Sequence, residues 1–316
     1  MSQRFSPLEL TGVRTYALAD RESKVSTDDF AEPWTPGGSL LQFLHDLPNI
    51  LAVQDLRAVV EAVAAAASEN RTVALGMGAH VIKVGLNPIL IDLMERGILS
   101  AAALNGAGII HDYELAATGG TSEDVAATLG AGDFGMARET CGFLGAAIDR
   151  AGRENLGLGE AVGRAILDAE LPHADQSLLA AGARLGIPVT VHVAVGTDII
   201  HMHPQFDPAA AGAATHRDFR TFASVVATLE KGVYLNLGSA VILPEVFLKA
   251  LALVRNLGHK VETLTTVNMD FIRHYRPMTN VVHRPTLTGG RGFNLVGHHE
   301  IMVPLLAAGI LERLAS

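Results

Sequence analysis

Short apolar runs alternate with stretches of helical periodicity along most of this 316-residue chain, and nearly every run closes on glycine or a small polar residue. Thr72 to Leu75 ends in GMGAH. Pro88 to Arg96 then places Ile89, Leu90, Leu93 and Met94 on one helical face, and Gly97 stops it. Ala101 to Leu104 closes on NGAG, and a second helical segment begins at Asp112. Pro188 to Val195, Val233 to Leu237, Val261 to Val267 and Phe293 to Val296 read as further strands. Phe219 to Leu229, Pro244 to Asn256 and Met302 to Leu314 read as the helices between and after them. Runs such as VALG, AAALNG, VTVHVAVG and VYLNLG are apolar at every position rather than at alternate ones, as in strands covered on both faces. The expected fold is α/β, a parallel sheet with helices on both faces. Residues 1–45, with the turn-rich STDDF and EPWTPGG, read as an N-terminal arm. Residues 46–316 read as a single α/β domain. The stretch at about 119–157 breaks the alternation and reads as an inserted region with one or two helices of its own.

Composition narrows the function classes. A net charge of −9 argues against a nucleic-acid or anionic-membrane partner. One cysteine, Cys141, excludes an intramolecular disulfide and a cysteine-based zinc site. The polar start MSQRFSPLEL lacks the apolar core of an export signal, and no apolar stretch reaches a membrane span, so a soluble, cytoplasmic protein is expected.

Ligands of open α/β sheets bind beyond the carboxyl ends of the strands. Here those ends carry Gly76, Gly78, Ala79 and His80; Asn105, Gly106, Ala107, Gly108 and Asp112; His192, Thr197, Asp198 and His201; Asn236, Gly238 and Ser239; Asn268 and Asp270; and His298, His299 and Glu300. Glycine at such a turn admits a close backbone approach, and a following helix N-terminus offers N–H groups to phosphate; the same glycines also serve any strand-to-helix turn. No G-x-G-x-x-G follows the first strand and no G-x-x-x-x-G-K-[ST] occurs, which disfavours an ordinary Rossmann dehydrogenase and a P-loop enzyme. The 13 histidines cluster in VHVAVGTDIIHMHP and GHHEI. They serve either as polar contacts to a ligand or, with Asp198, as metal ligands. The segment RHYRP, with His283, Arg284 and Arg291, is locally basic.

The run GMGAHVIKVGLNPILIDLMERGILSAAALNGAGIIHDYELA resembles the cofactor-binding half of the deoxyhypusine synthases, and the later order GTDIIHMHP, VYLNLGSA, TTVNMD and LVGHHEIMVPLLAAGIL follows theirs, over about residues 70 to 316. The resemblance implies a Rossmann-like parallel α/β fold akin to that of sirtuins. It also implies bound NAD, tetramers with sites at dimer interfaces, and transfer of the aminobutyl group of spermidine to a protein lysine. It places the first cofactor loop on Gly78, Ala79 and His80, and a second on Asn105 to Gly108. The closing acidic residue falls on Asp112 and an amine-holding aspartate on Asp198. The last turn falls on Gly297 to Glu300, where His298 replaces the family's aspartate. The family's catalytic lysine has no counterpart: RPTLTGGRGFNL carries Gly290 and Arg291 there, and no lysine follows Lys260. A covalent imine needs a lysine amine, which arginine does not supply.

The resulting expectation is a divergent deoxyhypusine synthase-like NAD enzyme, a homo-oligomer (dimer or tetramer) that removes hydride from a small amine or alcohol, with group transfer as a further step. Gly78, Ala79, His80, Asn105, Gly106, Ala107, Gly108, Asp112, Gly238, Ser239, Asn268 and His299 are the cofactor-binding candidates. Asp198, His201, His298 and Glu300 are the catalytic ones: Asp198 orients substrate, His201 or His298 acts as general base, and Glu300 orients the histidine. No metal is expected on this reading. The rival readings are a metal-dependent hydrolase using Asp198, His201, His203, His298 and His299, and a non-catalytic nucleotide-binding protein.

Overall fold

Strands β1 (Val73–Met77), β2 (Ala101–Asn105), β3 (Val189–His192), β4 (Val233–Leu237), β5 (Thr265–Asp270) and β6 (Arg291–Val296) form one parallel sheet in the computed structural model, which describes residues 5–316. Their order is β3-β2-β1-β4-β5-β6. The chain therefore builds outward from β1 in one direction, then returns to place β4 on the other side of β1. The crevice at the carboxyl ends of β1 and β4 is the topological switch point of a doubly wound sheet. The expected parallel α/β, Rossmann-like fold is what the chain adopts.

The helices are α1 (Leu40–Asp46), α2 (Ala52–Ser68), α3 (His80–Lys83), α4 (Asn87–Glu95), α5 (Gly106–Thr118), α6 (Val125–Thr128), α7 (Arg138–Glu154), α8 (Leu158–Asp168), α9 (Leu178–Leu185), α10 (Pro208–Val226), α11 (Ile242–Asn256), α12 (Tyr275–Pro277) and α13 (His299–Ala315). Five of them, α5 to α9, lie between β2 and β3. Two helices start much earlier than the periodicity suggests, and α11 and α13 start two and three residues early, at Ile242 and His299. The helix after β2 begins at Gly106 rather than Asp112, because the NGAG glycines open the helix instead of forming a loop, and α10 begins at Pro208, where Asp207 accepts the Ala209 and Ala210 N–H groups. Residues 5–38 are solvent-facing and held near α1 by a few bonds, among them Glu32 N–H to Asp46 O at 2.9 Å. Arg57 on α2 donates to the carbonyls of Leu44, His45 and Leu47, which satisfies the C-terminal groups of α1. Among the described residues no helix is long and apolar enough to cross a membrane.

The two faces of the sheet differ. Val73, Leu75, Met77, Leu104, Val191, Leu235, Leu237, Val267 and Met269 point into a large apolar core shared with helices that include α2, α4, α5 and α13. The alternate positions carry Ala74, Ala101, Ala103 and Tyr234, which pack against Phe222 of α10 and Phe247 of α11. In the same register row stand Gly76, Asn236, Asn268 and Asn294. Asn236 donates to Asn268 and Asn268 to Asn294, each at 2.8 Å, a side-chain ladder across β4, β5 and β6. Tyr234 stacks flat on Phe247, its ring 3.8 Å away, and its hydroxyl occupies the space a side chain at Gly76 would need.

Candidate active site at the β1/β4 switch point

The residue types at the strand ends sort into a ligand-facing set and a structural set. Gly78 follows β1 and abuts Gly238, which follows β4: a Cβ on Gly78 would lie 2.5 Å from the Gly238 carbonyl oxygen. Gly238 has φ +62°, a conformation that favours glycine, and a Cβ there would lie 2.5 Å from His299 Nε2. Glycine at both positions is thus a steric requirement of the crevice. His80, at the start of α3, is solvent-exposed with its ring 6.0 Å from that of His299 and 6.2 Å from Phe271; Ala79 is buried beneath it. Phe271 follows β5 and stacks parallel to His298 at 5.8 Å.

His299, the first residue of α13, is 1% exposed, and neither ring nitrogen has a hydrogen-bond partner in the protein. Asp270, the last residue of β5, places Oδ1 3.8 Å from His299 Nε2 and accepts the Phe271 N–H at 2.8 Å. Burial pushes the His299 imidazole below its usual pKa, with Asp270 acting in the opposite sense.

A second cluster lies over β2. Asn105 precedes α5 with its side-chain oxygen buried and unpaired. A Cβ on Gly106 would overlap the Asp198 carboxylate, so that carboxylate rests on the first residue of α5, at the positive end of the helix. Asp198 is nearly buried and accepts the Thr197 hydroxyl at 3.2 Å; burial pushes its pKa up, partly offset by nearby His201. His201 Nδ1 accepts the backbone N–H groups of Gly196 and Asp198, both at 3.3 Å, which ties the loop together.

The four catalytic candidates do not share one site. Asp198 and His201 sit over β2, whereas His298 faces Phe271 beyond β5, with Glu300 3.9 Å from it. Those strand ends are three spacings apart, roughly 14 Å. The residues of the metal reading are likewise split between these two places. His203 is committed to the Gly135 carbonyl at 2.8 Å, His201 uses Nδ1 for its own loop and leaves Nε2 buried without a partner, and among the described residues no three His, Cys, Asp or Glu side chains converge.

Four cofactor candidates turn out to be structural. Asp112 is 0% exposed; it accepts Asn87 Nδ2 at 2.8 Å, Ser177 Oγ at 2.5 Å, Leu178 N–H at 2.9 Å and Leu179 N–H at 3.1 Å, so it caps α9 from within the protein. Gly108 faces inward, where a Cβ would lie 2.9 Å from Leu104 Cβ; it lets α5 pack on β2. Asn268 spends its amide in the asparagine ladder. Ser239 accepts Leu243 N–H in the first turn of α11. Each was assigned by its position after a strand, but its partners point inward. Conversely, Asp270 and Phe271 belong to the crevice. Their sequence signal was the aspartate that closes TTVNMD. Three arginines of the basic segment have partners away from the crevice: Arg276 faces Glu245, Arg284 donates to Asn280, and Arg291 lies over Phe293 at the opposite end of the sheet.

No protein-family model matches this chain, and no curated protein sequence does. Solved structures do match its fold. A conserved protein assigned to the LOR/SDH class from Methanococcus maripaludis S2 shares 14% identity over 84% of this chain and 71% of that one, with a TM-score of 0.55. AgrE, solved with ornithine and NAD+, shares 15% identity over 85% of this chain but only 35% of its own, with a TM-score of 0.52. A chain assigned as a deoxyhypusine synthase from Entamoeba histolytica shares 12% identity over 89% of this chain and 96% of that one, with a TM-score of 0.51. This is a Rossmann-like α/β protein of deoxyhypusine synthase-like fold.

Proposed function

We propose that this chain is an enzyme that binds NAD across the β1/β4 switch point and removes hydride from a small amine or alcohol. The observation that carries the reading is the crevice itself: Gly78 against Gly238, with the buried, unpaired nitrogens of His299 beside them and the unpaired Asn105 oxygen one strand away. A buried polar atom without a partner is costly, and a polar ligand relieves that cost. Crevices at this place in doubly wound sheets are the usual dinucleotide sites, and AgrE, of like fold, was solved with NAD+. Gly78, Ala79, His80, Asn105, Gly106, Ala107, Gly238 and His299 would hold the dinucleotide. When bound, NAD supplies a two-electron hydride acceptor. The glycines keep the crevice free of side chains, the α5 N-terminus offers backbone N–H groups to an anion, and Phe271 and His298 wall the outer side. Absence of the lysine removes the imine route, so an aminobutyl transfer through an enzyme amine is not part of the proposal. Exposed Phe271, Ile272, Tyr275, Val296 and Ile301 around the same ends support a homo-oligomer.

A thermal-shift titration tests the reading. NAD at 100 times its Kd stabilises a one-site protein by about 2.7 kcal/mol, so a clear rise in Tm with NAD or NADP is expected. His80→Ala and Asn105→Ala should weaken it. No rise with either dinucleotide at millimolar concentration refutes the assignment.

A further inference from the structure

We propose that His299 and Asp270 are the proton-handling pair of this site and that their substrate is a hydroxyl compound, a small hydroxy acid, rather than an amine; the inference rests on the NAD reading above.

Three independent features single out His299 over the more exposed His298. Its ring is buried at the first position of α13 with both nitrogens unpaired. It is seated against Gly238, whose backbone conformation and missing Cβ make the space. Asp270 Oδ1 lies 3.8 Å from Nε2, so a small closure makes a carboxylate–imidazole hydrogen bond that fixes the proton on Nε2 and leaves the Nδ1 lone pair as acceptor. His298 instead is two-thirds exposed and lies flat on Phe271, a wall of the crevice mouth.

The groups that face His299 are Asp270 from β5, His80 from α3, and His298 and Glu300 from its own helix. Burial keeps the ring neutral, the form that takes a proton. In the step proposed, the substrate C–O–H loses its proton to Nδ1, the C–H electron pair leaves as hydride to an oxidised nicotinamide dinucleotide, and a carbonyl forms. With NAD+ bound as the hydride acceptor, alcohol and NAD+ would become a carbonyl compound and NADH, with the proton on the imidazole.

Charge selects the substrate class. A protonated amine needs an unpaired carboxylate. Asp270 is buried beside His299, and Glu300 lies 3.9 Å from His298 at the surface. The rim is otherwise His80 and His298, and Arg273 and His274 follow two and three residues after Phe271 in the chain. That rim favours an anion beside the hydroxyl.

The test is NAD reduction, followed by absorbance of the reduced cofactor, with glycolate, L-lactate and L-malate against putrescine and spermidine. At least one hydroxy acid is expected to be oxidised, with kcat/KM falling as pH drops through the imidazole pKa. His299→Gln should lose about 100-fold in kcat, with a cooperative urea unfolding transition showing that the variant is folded. Asp270→Asn should move the pH profile to lower pH, since it removes the group that raises the imidazole pKa; a merely structural aspartate would leave the profile in place. If His299→Gln does not fold, the Asp270→Asn profile decides alone. Preferential oxidation of the amines overturns the proposal, as does full activity of His299→Gln, or a wild-type protein that NAD stabilises but that oxidises none of the hydroxy acids. A wild-type protein that NAD does not stabilise defeats the NAD reading itself.

Discussion

Replacing Asp112 by alanine separates two roles that look alike in sequence. If Asp112 held a cofactor, the variant would keep its stability and lose NAD affinity. The structure implies the reverse. Two backbone N–H groups, at Leu178 and Leu179, and the Asn87 amide and Ser177 hydroxyl all donate to this carboxylate, which no solvent reaches. Alanine leaves at least the two backbone donors buried and unpaired, at about 1–3 kcal/mol each. Relief of the carboxylate's own burial, which pushes its pKa up, returns part of that. The net loss is about 3 to 5 kcal/mol, as for other buried charges stripped of one side of their network, or roughly 10 °C in Tm for a chain of this size. Urea denaturation gives the free energy directly. Asp112→Asn should also destabilise, because the amide nitrogen is a donor and would face the donating Leu178 or Leu179 N–H in place of a carboxylate oxygen. A loss under about 1 kcal/mol in the alanine variant refutes the capping role.

Asp218 accepts the N–H groups of Gly159 and Val191 in a buried position that pushes its pKa up to about 7. A carboxyl raised in the folded state stabilises most below its unfolded pKa, and that stability is lost as pH rises through the folded value. Wild-type protein should therefore lose about 3 kcal/mol between pH 5 and pH 8 on this account, a slope absent from Asp218→Asn; equal slopes would contradict it. Gly238→Ala forces a side chain into a φ of +62° and onto His299. A loss of about 1–3 kcal/mol is expected, together with a changed His299 signal in imidazole NMR; an unperturbed ring would show that the contact is slack. The buried Cys141 thiol, pushed up to about 11, should resist iodoacetamide at neutral pH in the folded protein, with mass spectrometry reading the adduct. Rapid labelling would place it at the surface.

The order of elements was legible because it is written in local periodicity. Val233–Leu237 stands where its apolar run puts it, and β1, β2 and α4 lie within two residues of theirs. Helix starts were harder to place, since Gly106 and Pro208 open helices through backbone and capping geometry that an apolar pattern does not carry. The site was half legible. A strand-end position puts Gly78, His80, Gly238 and His299 at the carboxyl edge of any parallel sheet, and there they are. Which way a side chain turns from that edge is settled by partners far away in the chain. Asp112 looked like a ligand-facing acid until Ser177 and the α9 N-terminus were seen to surround it, 65 or more positions later. The asparagines of β4, β5 and β6 looked like separate polar strand positions until the register joined them.

By itself, then, the sequence determined a parallel α/β sheet whose glycines and polar residues gather at one edge, because alternating strand and helix patterns leave a chain few other ways to bury its apolar runs. It also determined that no lysine follows Lys260. Only the tertiary structure decided that β4 returns beside β1 and opens the crevice there. Only it decided that Asp198 and His201 belong to a different strand end from His298, and that the histidine paired with an aspartate is His299. These outcomes depend on strand order and on contacts between residues far apart in sequence, such as Asp270 with His299, Gly106 with Asp198 and Gly78 with Gly238, and no local pattern encodes them.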